Sequence, residues 1–528
     1  MNGAESLIRT AIANGLEVCF TNPGTTEMHL VAALDAVPGV RAVLGLFEGV
    51  VTGAADGYGR MADKPALTLL HLGPGFANGI ANLHNARRAQ TPILNLIGHH
   101  ATWQRNYDPP LNSNVELLAA PVSAWQRTCA SAEHLSRDVA DALVACRRHP
   151  GRIATLVVPG DVQWDEAPER IERAAPGAAA LVADSAVERI AALLRNANAG
   201  GGRVGDNGSM LLLGAHALRE GGLRAAARVA QATGARLVTE TFPARLERGP
   251  DLPALERLPY FPEQAASFLG GIRRLVLVGA REPVAFFGYQ GGPSRLTPET
   301  VEIEVLAGRE ENAEQALHAL ADALEAPERV AARPKDERKV EPVVAPTGGL
   351  DPAGVAQAVV AAMPEHAIVV DEGVTAAGAF YPIARNAPRH TYLTLTGGAI
   401  GYGMPCAIGA AIACPDRKVL VLEGDGSGLY TNQALWTMAR EGLDVVTVVF
   451  ANDVYRILQI ELQRAGVSQP GPQSLAVTEL SSPAVDWHAL GKAFGVETRP
   501  AKTAGELRAA IGEALAAGGP QLVVAEVP

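Results

Sequence analysis

The stretch KVLVLEGDGSGLYTNQALWTMAREGLDVVTVVFANDVY sets two polar side chains, Asp425 and Asn452, at the exits of two apolar runs, Lys418–Leu422 and Val445–Phe450. They stand 27 positions apart. That interval suits a strand-helix-strand unit with parallel, adjacent strands, so both side chains leave the sheet at one edge. A carboxylate and an amide oxygen are hard ligands of the kind Mg²⁺ accepts beside the oxygens of a bound phosphate. The glycines of GDGSG let backbone N–H groups approach such a phosphate, and Ser427 adds a hydroxyl. GDG alone fits an ordinary tight turn between strand and helix; its partner at Asn452 turns the reading toward a site for a diphosphate and a metal ion.

A distant segment, LFEGVVTGAADGYGRMADKPALTLLHLGPGFANGIANLHNARRAQTPILNLIG, places Glu48 among apolar residues. A carboxylate there is costly without a hydrogen-bond partner, so Glu48 either faces solvent at a strand end or meets a ligand. Between the two segments, TLTGGAIGYGMPCAIGAAIA reads as a glycine-rich turn opening a small-residue helix, which a close helix–sheet contact would equally require. Upstream, DEGVTAAG follows the strand Ala367–Val370.

GDG followed after this interval by Asn resembles the thiamine diphosphate (ThDP) motif of the 2-oxo acid decarboxylase and acetolactate synthase superfamily. The segment around Glu48 resembles the pyrimidine-binding domain of the same superfamily. The resemblance implies that Asp425, Asn452 and the carbonyl of Val454 hold Mg²⁺, with Gly424, Gly426 and Ser427 at the diphosphate, Thr375 on a second diphosphate turn and Tyr455 beside the cofactor. It implies that Ile400 props the cofactor into a bent conformation and that the carbonyl of Gly398 receives its amino group. Glu48 would touch the aminopyrimidine ring and so activate the thiazolium carbon. The run Ala451-Asn452-Asp453 keeps the second of the two asparagines that the family often shows.

The chain of 528 residues is too long for one core. The resemblance implies three doubly wound parallel-sheet α/β domains: pyrimidine-binding over 1–170, central over 185–330 and diphosphate-binding over 350–528. Two stretches rich in Pro, Ala and charge, Asp165–Ala186 and Glu325–Pro352, read as the linkers. In the central part, LLLGAHALREGG lacks a GxGxxG, and no FAD-binding signature is present. Hydrophobic residues make up 48% and charged residues 19%, which points to a globular protein with large buried interfaces. A net charge of −11, with no Lys/Arg cluster, argues against nucleic acid. The five cysteines lack metal-ligand spacing and read as buried apolar residues or free thiols. No apolar run approaches a membrane span, and the opening residues read as an amphipathic helix instead of a signal peptide, so the expected compartment is cytoplasmic. The family builds its active site from two subunits, which implies a homodimer or homotetramer.

His71, at the end of LTLLHLGPG, stands where benzoylformate decarboxylase-like enzymes carry an active-site histidine; a hydrogen-bonded structural histidine fits the same place. His99 follows PILNLIG at the same sheet edge and is the better candidate of the His99–His100 pair for the cofactor pocket. Thr25 stands at a substrate-contacting position in those relatives and could equally cap the next helix. Phe286, Phe287 and Gly288 replace the second catalytic histidine of such enzymes, and DVYRILQIELQRAG replaces the usual acetolactate synthase loop. The wording of GHHATWQRNYDPPLNSN and YRILQIELQRAG looks most like divergent acetolactate synthase large subunit-like proteins. Phe286, Phe287, Tyr455, Ile457 and Leu458 offer an apolar or aromatic 2-oxo acid a surface, while Thr25 and His71 could take its carboxylate. The expectation is a Mg²⁺- and ThDP-dependent decarboxylase that joins the fragment to a second carbonyl, or one that releases an aldehyde. The alternatives of another class are a non-catalytic ThDP-binding homologue, which the retained Glu48 argues against, and an NAD-dependent dehydrogenase, for which only the parallel-sheet pattern speaks.

Overall fold

The computed structural model describes residues 1–175, 177–198, 208–328 and 349–528. The second linker stretch, Glu325–Pro352, lies mostly outside the described residues, as does position 176 of the first. The chain forms two compact units. One combines residues up to Gly177 with 349–380 and Thr394–Pro528, and the other combines Ala178 to 328 with Tyr381–Leu393.

The first unit opens with a six-stranded sheet made of β1 (Val18–Asn22), β2 (Arg41–Leu44), β3 (Ala66–His71), β4 (Ile93–His99), β5 (Trp125–Thr128) and β6 (Ile153–Pro159). The order is β2-β1-β3-β4-β6-β5 and every pairing is parallel. Strands β4 and β6 are buried at every position, because helices cover both faces of a parallel sheet and no position of such a strand meets water. On one face Leu67, Leu69, Leu94, Leu96 and Leu156 form a core with Leu7, Leu135 and Leu143 from the helices Gly3–Ala13 and Leu135–Arg147. Thr68 carries the opposite parity, and its hydroxyl donates to Asn95 Oδ1 at 2.7 Å while Asn95 Nδ2 donates to Thr155 at 3.1 Å. This buried polar row fixes the register of three strands, since a slip by one residue would leave the Asn95 amide without its partners in the core. The chain moves outward from β1 in both directions, so a crevice opens beyond the C-terminal ends of β1 and β3.

The second unit holds a five-stranded sheet of β7 (Ser209–Leu213), β8 (Arg236–Thr239), β10 (Glu256–Arg257), β11 (Arg274–Val278) and β12 (Glu302–Ala307), in the order β10-β8-β7-β11-β12, again parallel. One pairing departs from the all-parallel expectation: β9 (Leu246–Arg248) runs antiparallel to β14 (His390–Thr394). The buried Arg248 guanidinium there stacks 4.1 Å over the Tyr381 ring. Phe286 and Phe287 are exposed, and Phe286 joins Phe242 and Tyr260 in an aromatic cluster of this unit.

The first unit also carries the parallel strands β13 (Ala367–Glu372), β15 (Val419–Gly424), β16 (Val445–Ala451), β17 (Glu497–Ala501) and β18 (Gln521–Glu526), in the order β17-β18-β16-β15-β13. The strands at both ends of the GDGSG segment therefore run one or two residues further than their apolar runs. The helix Glu48–Ala62 lies against the helix Gly403–Ala413 with backbones in contact: a Cβ on Gly57 would overlap the carbonyl of Cys406, and one on Gly409 the carbonyl of Ala54. Asp56 and Arg60 form a buried ion pair at 2.5 Å on the same surface. Arg60 Nη1 donates to the Thr394 carbonyl and to the Tyr402 hydroxyl, both at 2.8 Å. Removing one member of such a fully satisfied buried pair costs about 3–5 kcal/mol. Among the described residues no helix is long and apolar enough to cross a membrane.

The helix contact leaves no room for a methyl group, so Gly409→Ala is expected to lower the unfolding free energy by about 1–3 kcal/mol or more. Urea denaturation of the two proteins checks this, and equal midpoints would contradict the close approach.

Candidate active site

Strand β15 ends at Gly424, and the chain turns at once into Asp425–Gly428, a buried single helical turn. Gly424 pairs with Phe450 across β15 and β16, which brings Asn452 alongside Asp425 at the same sheet edge. Asp425 Oδ1 accepts the Gly426 N–H at 2.8 Å, and Oδ2 accepts those of Asn452 at 2.9 Å and Asp453 at 2.7 Å. Burial pushes the Asp425 carboxyl up, and the three amides oppose that shift. Asp453 takes a positive φ of 53° and reverses the chain. Asn452 Oδ1 then accepts the Val454 N–H at 3.1 Å, while the Val454 carbonyl accepts from Arg456 at 3.0 Å. Gly426 must be glycine, because a Cβ would run into the Tyr455 ring.

These donors fit a hard divalent cation next to a diphosphate. A carboxylate offers about four lone-pair sites and an amide or carbonyl oxygen two. Asp425, Asn452 and Val454 each keep one beyond the hydrogen bonds just described. The cofactor requirement is met equally by the turn, where Ser427 and the backbone of Gly426 lie at the end of β15.

Thr375 is half-buried in the turn after β13, next to Val374 at a φ of 45°. Ile400 is half-buried between two backbone reversals, Gly398 at a φ of 78° and Gly401 at 89°. This bend is clamped from the helix Leu72–Ala89: Asn85 Nδ2 donates to the Ala399 carbonyl at 2.8 Å, and Asn82 Nδ2 donates to that of Gly401 at 3.0 Å. From β13, the buried Glu372 carboxylate accepts the N–H groups of Gly401, Tyr402 and Gly403. Glu423 of β15 is buried beside it: a Cβ on Gly403 would overlap the Glu423 carboxyl and sit 3.2 Å from that of Glu372. Burial raises Glu372 to about 7, against the pull of the three amides, and drives Glu423 well above the carboxylate range, with the neighbouring Glu372 adding to that shift.

A second cluster occupies the crevice beyond β1 and β3. Glu48 is the first residue of its helix, where the N-terminal dipole favours a carboxylate, and Asn78 Nδ2 donates to its Oε2 at 3.0 Å. His71 closes β3, and its Nδ1 lies 2.8 Å from Oε2 of the buried Glu27. Glu27 also accepts the Gly24 N–H at 2.8 Å and the Thr26 hydroxyl at 2.6 Å. A methyl group built on Gly75 would sit 3.0 Å from Glu48 Oε1 and 3.2 Å from His71 Cβ, so both side chains border the start of the helix Leu72–Ala89. Thr25 is exposed on the 3-10 turn Thr25–Glu27; Thr26 and Glu27 are the residues of that turn that meet His71. His99 is fully buried at the end of β4, and burial is the main force that lowers its pKa, with Arg105 adding to it.

The structure thus assembles Asp425, Gly426, Asn452, Val454 and Tyr455 as one group and Glu48 with His71 as another. Among the described residues the hydrogen-bond partner of the Glu48 carboxylate is Asn78, not a residue of the GDGSG turn. Sequence reasoning missed Glu27, Glu372 and Glu423. Glu27 had a usable signal, since Gly24-Thr-Thr-Glu27 has the spacing of a capping box, which the turn forms.

Two family models match: the N-terminal TPP binding domain of thiamine pyrophosphate enzymes over residues 1–118, and the C-terminal TPP binding domain over 373–525. They cover the Glu48–His71 cluster and the Asp425–Asn452 group respectively. The chain belongs to the thiamine diphosphate-dependent 2-oxo acid enzyme family, and it is an enzyme of that class. It is 48% identical to the Mycobacterium tuberculosis protein named "Putative acetolactate synthase large subunit IlvX", over all of this chain and 99% of that one. It is 30% identical to benzoylformate decarboxylase of Pseudomonas aeruginosa, over 98% of this chain and 96% of that one. The fold matches that of the ThDP-dependent 4-hydroxybenzoylformate decarboxylase of Rhodococcus jostii RHA1 with a TM-score of 0.86 at 24% identity, covering 100% and 99% of the two chains.

His99 is held neutral in the folded protein and regains its ordinary value of 6.5 on unfolding. Below that pH the unfolded chain binds the extra proton, so His99 costs stability as pH falls and contributes no slope above it. The expected outcome for His99→Gln is a shallower decline of Tm between about pH 7 and about pH 5 than in the wild type. Parallel Tm curves would show that His99 is not buried as described.

Proposed function

We propose that the protein decarboxylates a 2-oxo acid with bound ThDP and Mg²⁺ and that His71 then delivers the proton that lets an aldehyde leave. The observation that carries this reading is the imidazole of His71, held by Glu27 at the end of β3, on a residue that borders Gly75 as Glu48 does. When bound, ThDP supplies a nucleophilic carbon for the ketone carbonyl and a sink for the electron pair left by CO₂. Asp425, Asn452 and the Val454 carbonyl would hold Mg²⁺, with Gly424, Gly426, Ser427 and Thr375 at the diphosphate and Tyr455 packed over the turn. Ile400 and the Gly398 carbonyl would orient the aminopyrimidine, and Glu48 would hold and move the proton at its N1′.

The Glu27 carboxylate faces Nδ1 of His71, which favours the tautomer with the proton on that nitrogen and leaves Nε2 as the nitrogen that would give a proton to the reacting carbon, the hydroxyl beside that carbon losing its own proton as the aldehyde leaves. A histidine in this role favours product release over transfer. Carboligation to a second carbonyl is the second reading, favoured by the printed name of the 48%-identical relative. Thr25 and His99 remain candidates for the substrate side, through direct contact with its polar groups. With this reading goes a homodimer or a homotetramer in which each copy completes the other's site, in a cytoplasmic setting.

Supplying ThDP, Mg²⁺ and a panel of pyruvate, 2-oxobutyrate, branched-chain 2-oxo acids and benzoylformate tests the reading. CO₂ with an equivalent of aldehyde is expected; a 2-hydroxy ketone or acetolactate would establish the second reading, and no CO₂ from any acid would overturn both. In Glu48→Gln, exchange of the cofactor's C2 proton with D₂O should slow by about 100-fold or more while the Kd for ThDP changes little. NMR of quenched samples reads that rate.

A further inference from the structure

The helix Gly403–Ala413 begins without a capping hydrogen bond from the side chain of its N-cap residue, Tyr402. Its first amides are satisfied from outside the segment. Glu372, the last residue of β13, reaches across so that Oε1 accepts from Gly401 at 2.9 Å while Oε2 accepts from Tyr402 at 2.8 Å and from Gly403 at 2.5 Å. Just before these amides the same backbone carries Gly398 and Ile400, and the reversals at Gly398 and Gly401 are conformations that cost a flexible chain entropy to hold. Asn82 and Asn85 hold the carbonyls of Gly401 and Ala399, Asn85 Oδ1 also accepts the Ala399 N–H at 3.2 Å, and Glu372 holds the three amides that follow Ile400.

We infer that Glu372 is a positioning residue: by accepting three consecutive amides it fixes the Gly398–Gly403 bend in the shape that presents Ile400 and the Gly398 carbonyl to the aminopyrimidine. The inference rests on the reading of that bend as part of the ThDP site. The carboxylate is needed as such. A glutamine has one accepting oxygen, and its NH₂ would meet at least one of the three N–H groups donor to donor.

The test uses the full-length enzyme with ThDP and Mg²⁺, comparing wild type, Glu372→Gln and Glu372→Asp. Three quantities are read: the Kd for ThDP, the rate of C2-proton exchange in D₂O, and the near-ultraviolet circular dichroism of the bound cofactor, which responds to the state of its pyrimidine ring. In Glu372→Gln the Kd should stay within a few-fold, because the diphosphate and metal end is untouched. Exchange should slow by about 10- to 100-fold and the dichroism should change, the expected effect of a small misplacement at the reacting centre. Glu372→Asp, which keeps the charge on a shorter stem, should recover part of the rate. Wild-type exchange in a folded Glu372→Gln protein overturns the inference, and so does a folded variant that loses ThDP altogether. Where Glu372→Gln does not fold, Glu372→Asp decides by the same readings, and failure of both to fold assigns Glu372 to stability alone and overturns the inference. Absence of ThDP binding by the wild type overturns the underlying reading instead, so the two failures are distinguishable.

Discussion

The parallel register of β15 and β16 is the constraint on which the cofactor end of this protein depends. Gly424 opposite Phe450 sets the ends of both strands at one level, and the Asp425 carboxylate locks them there by accepting the amides of Asn452 and Asp453. The details that follow are consequences of that lock. Asp453 reverses the chain, and Tyr455 lands on the face of Gly426 where no side chain can stand. A carboxylate drawn below water's reach carries a penalty that its amides reduce and that a divalent cation would remove.

A second mechanical element joins the segment of Glu48 to the bend at Ile400. The helices Glu48–Ala62 and Gly403–Ala413 touch backbone to backbone through Gly57 and Gly409, and Arg60 spans the same surface to reach Thr394 and Tyr402. Interiors of this density do not deform by small amounts, so the acid at the start of one helix and the bend before the other keep a fixed relation. That rigidity suits chemistry in which the protein supplies orientation and the cofactor supplies reactivity.

The legible parts of the sequence were those in which local pattern and function coincide. Asp425 and Asn452 could be paired because a strand-helix-strand unit has a characteristic length, and the apolar runs at 418–422 and 445–450 became β15 and β16 with one or two residues added. Parallel sheets were readable from the same runs, since strands buried on both faces lose their alternation. What stayed hidden depends on tertiary neighbours. Glu372 looks like the polar end of a strand until three amides from a segment about thirty residues away converge on it. Glu27 resembled a helix-start residue, and nothing local places it against the end of β3. Thr25 and Thr26 differ only in which one the 3-10 turn directs inward. The antiparallel pairing of β9 with β14 joins segments too far apart for any periodicity to connect.

The central claim, that Asp425, Asn452 and Val454 form a metal-dependent ThDP site, is tested most directly by calorimetric titration of ThDP into the protein with Mg²⁺ present and again after chelation. The account predicts saturable binding of one ThDP per chain with Mg²⁺ and its loss on chelation, with Asp425→Asn behaving like the chelated protein. Binding that is indifferent to the metal and to Asp425→Asn, or no binding under either condition, would contradict it.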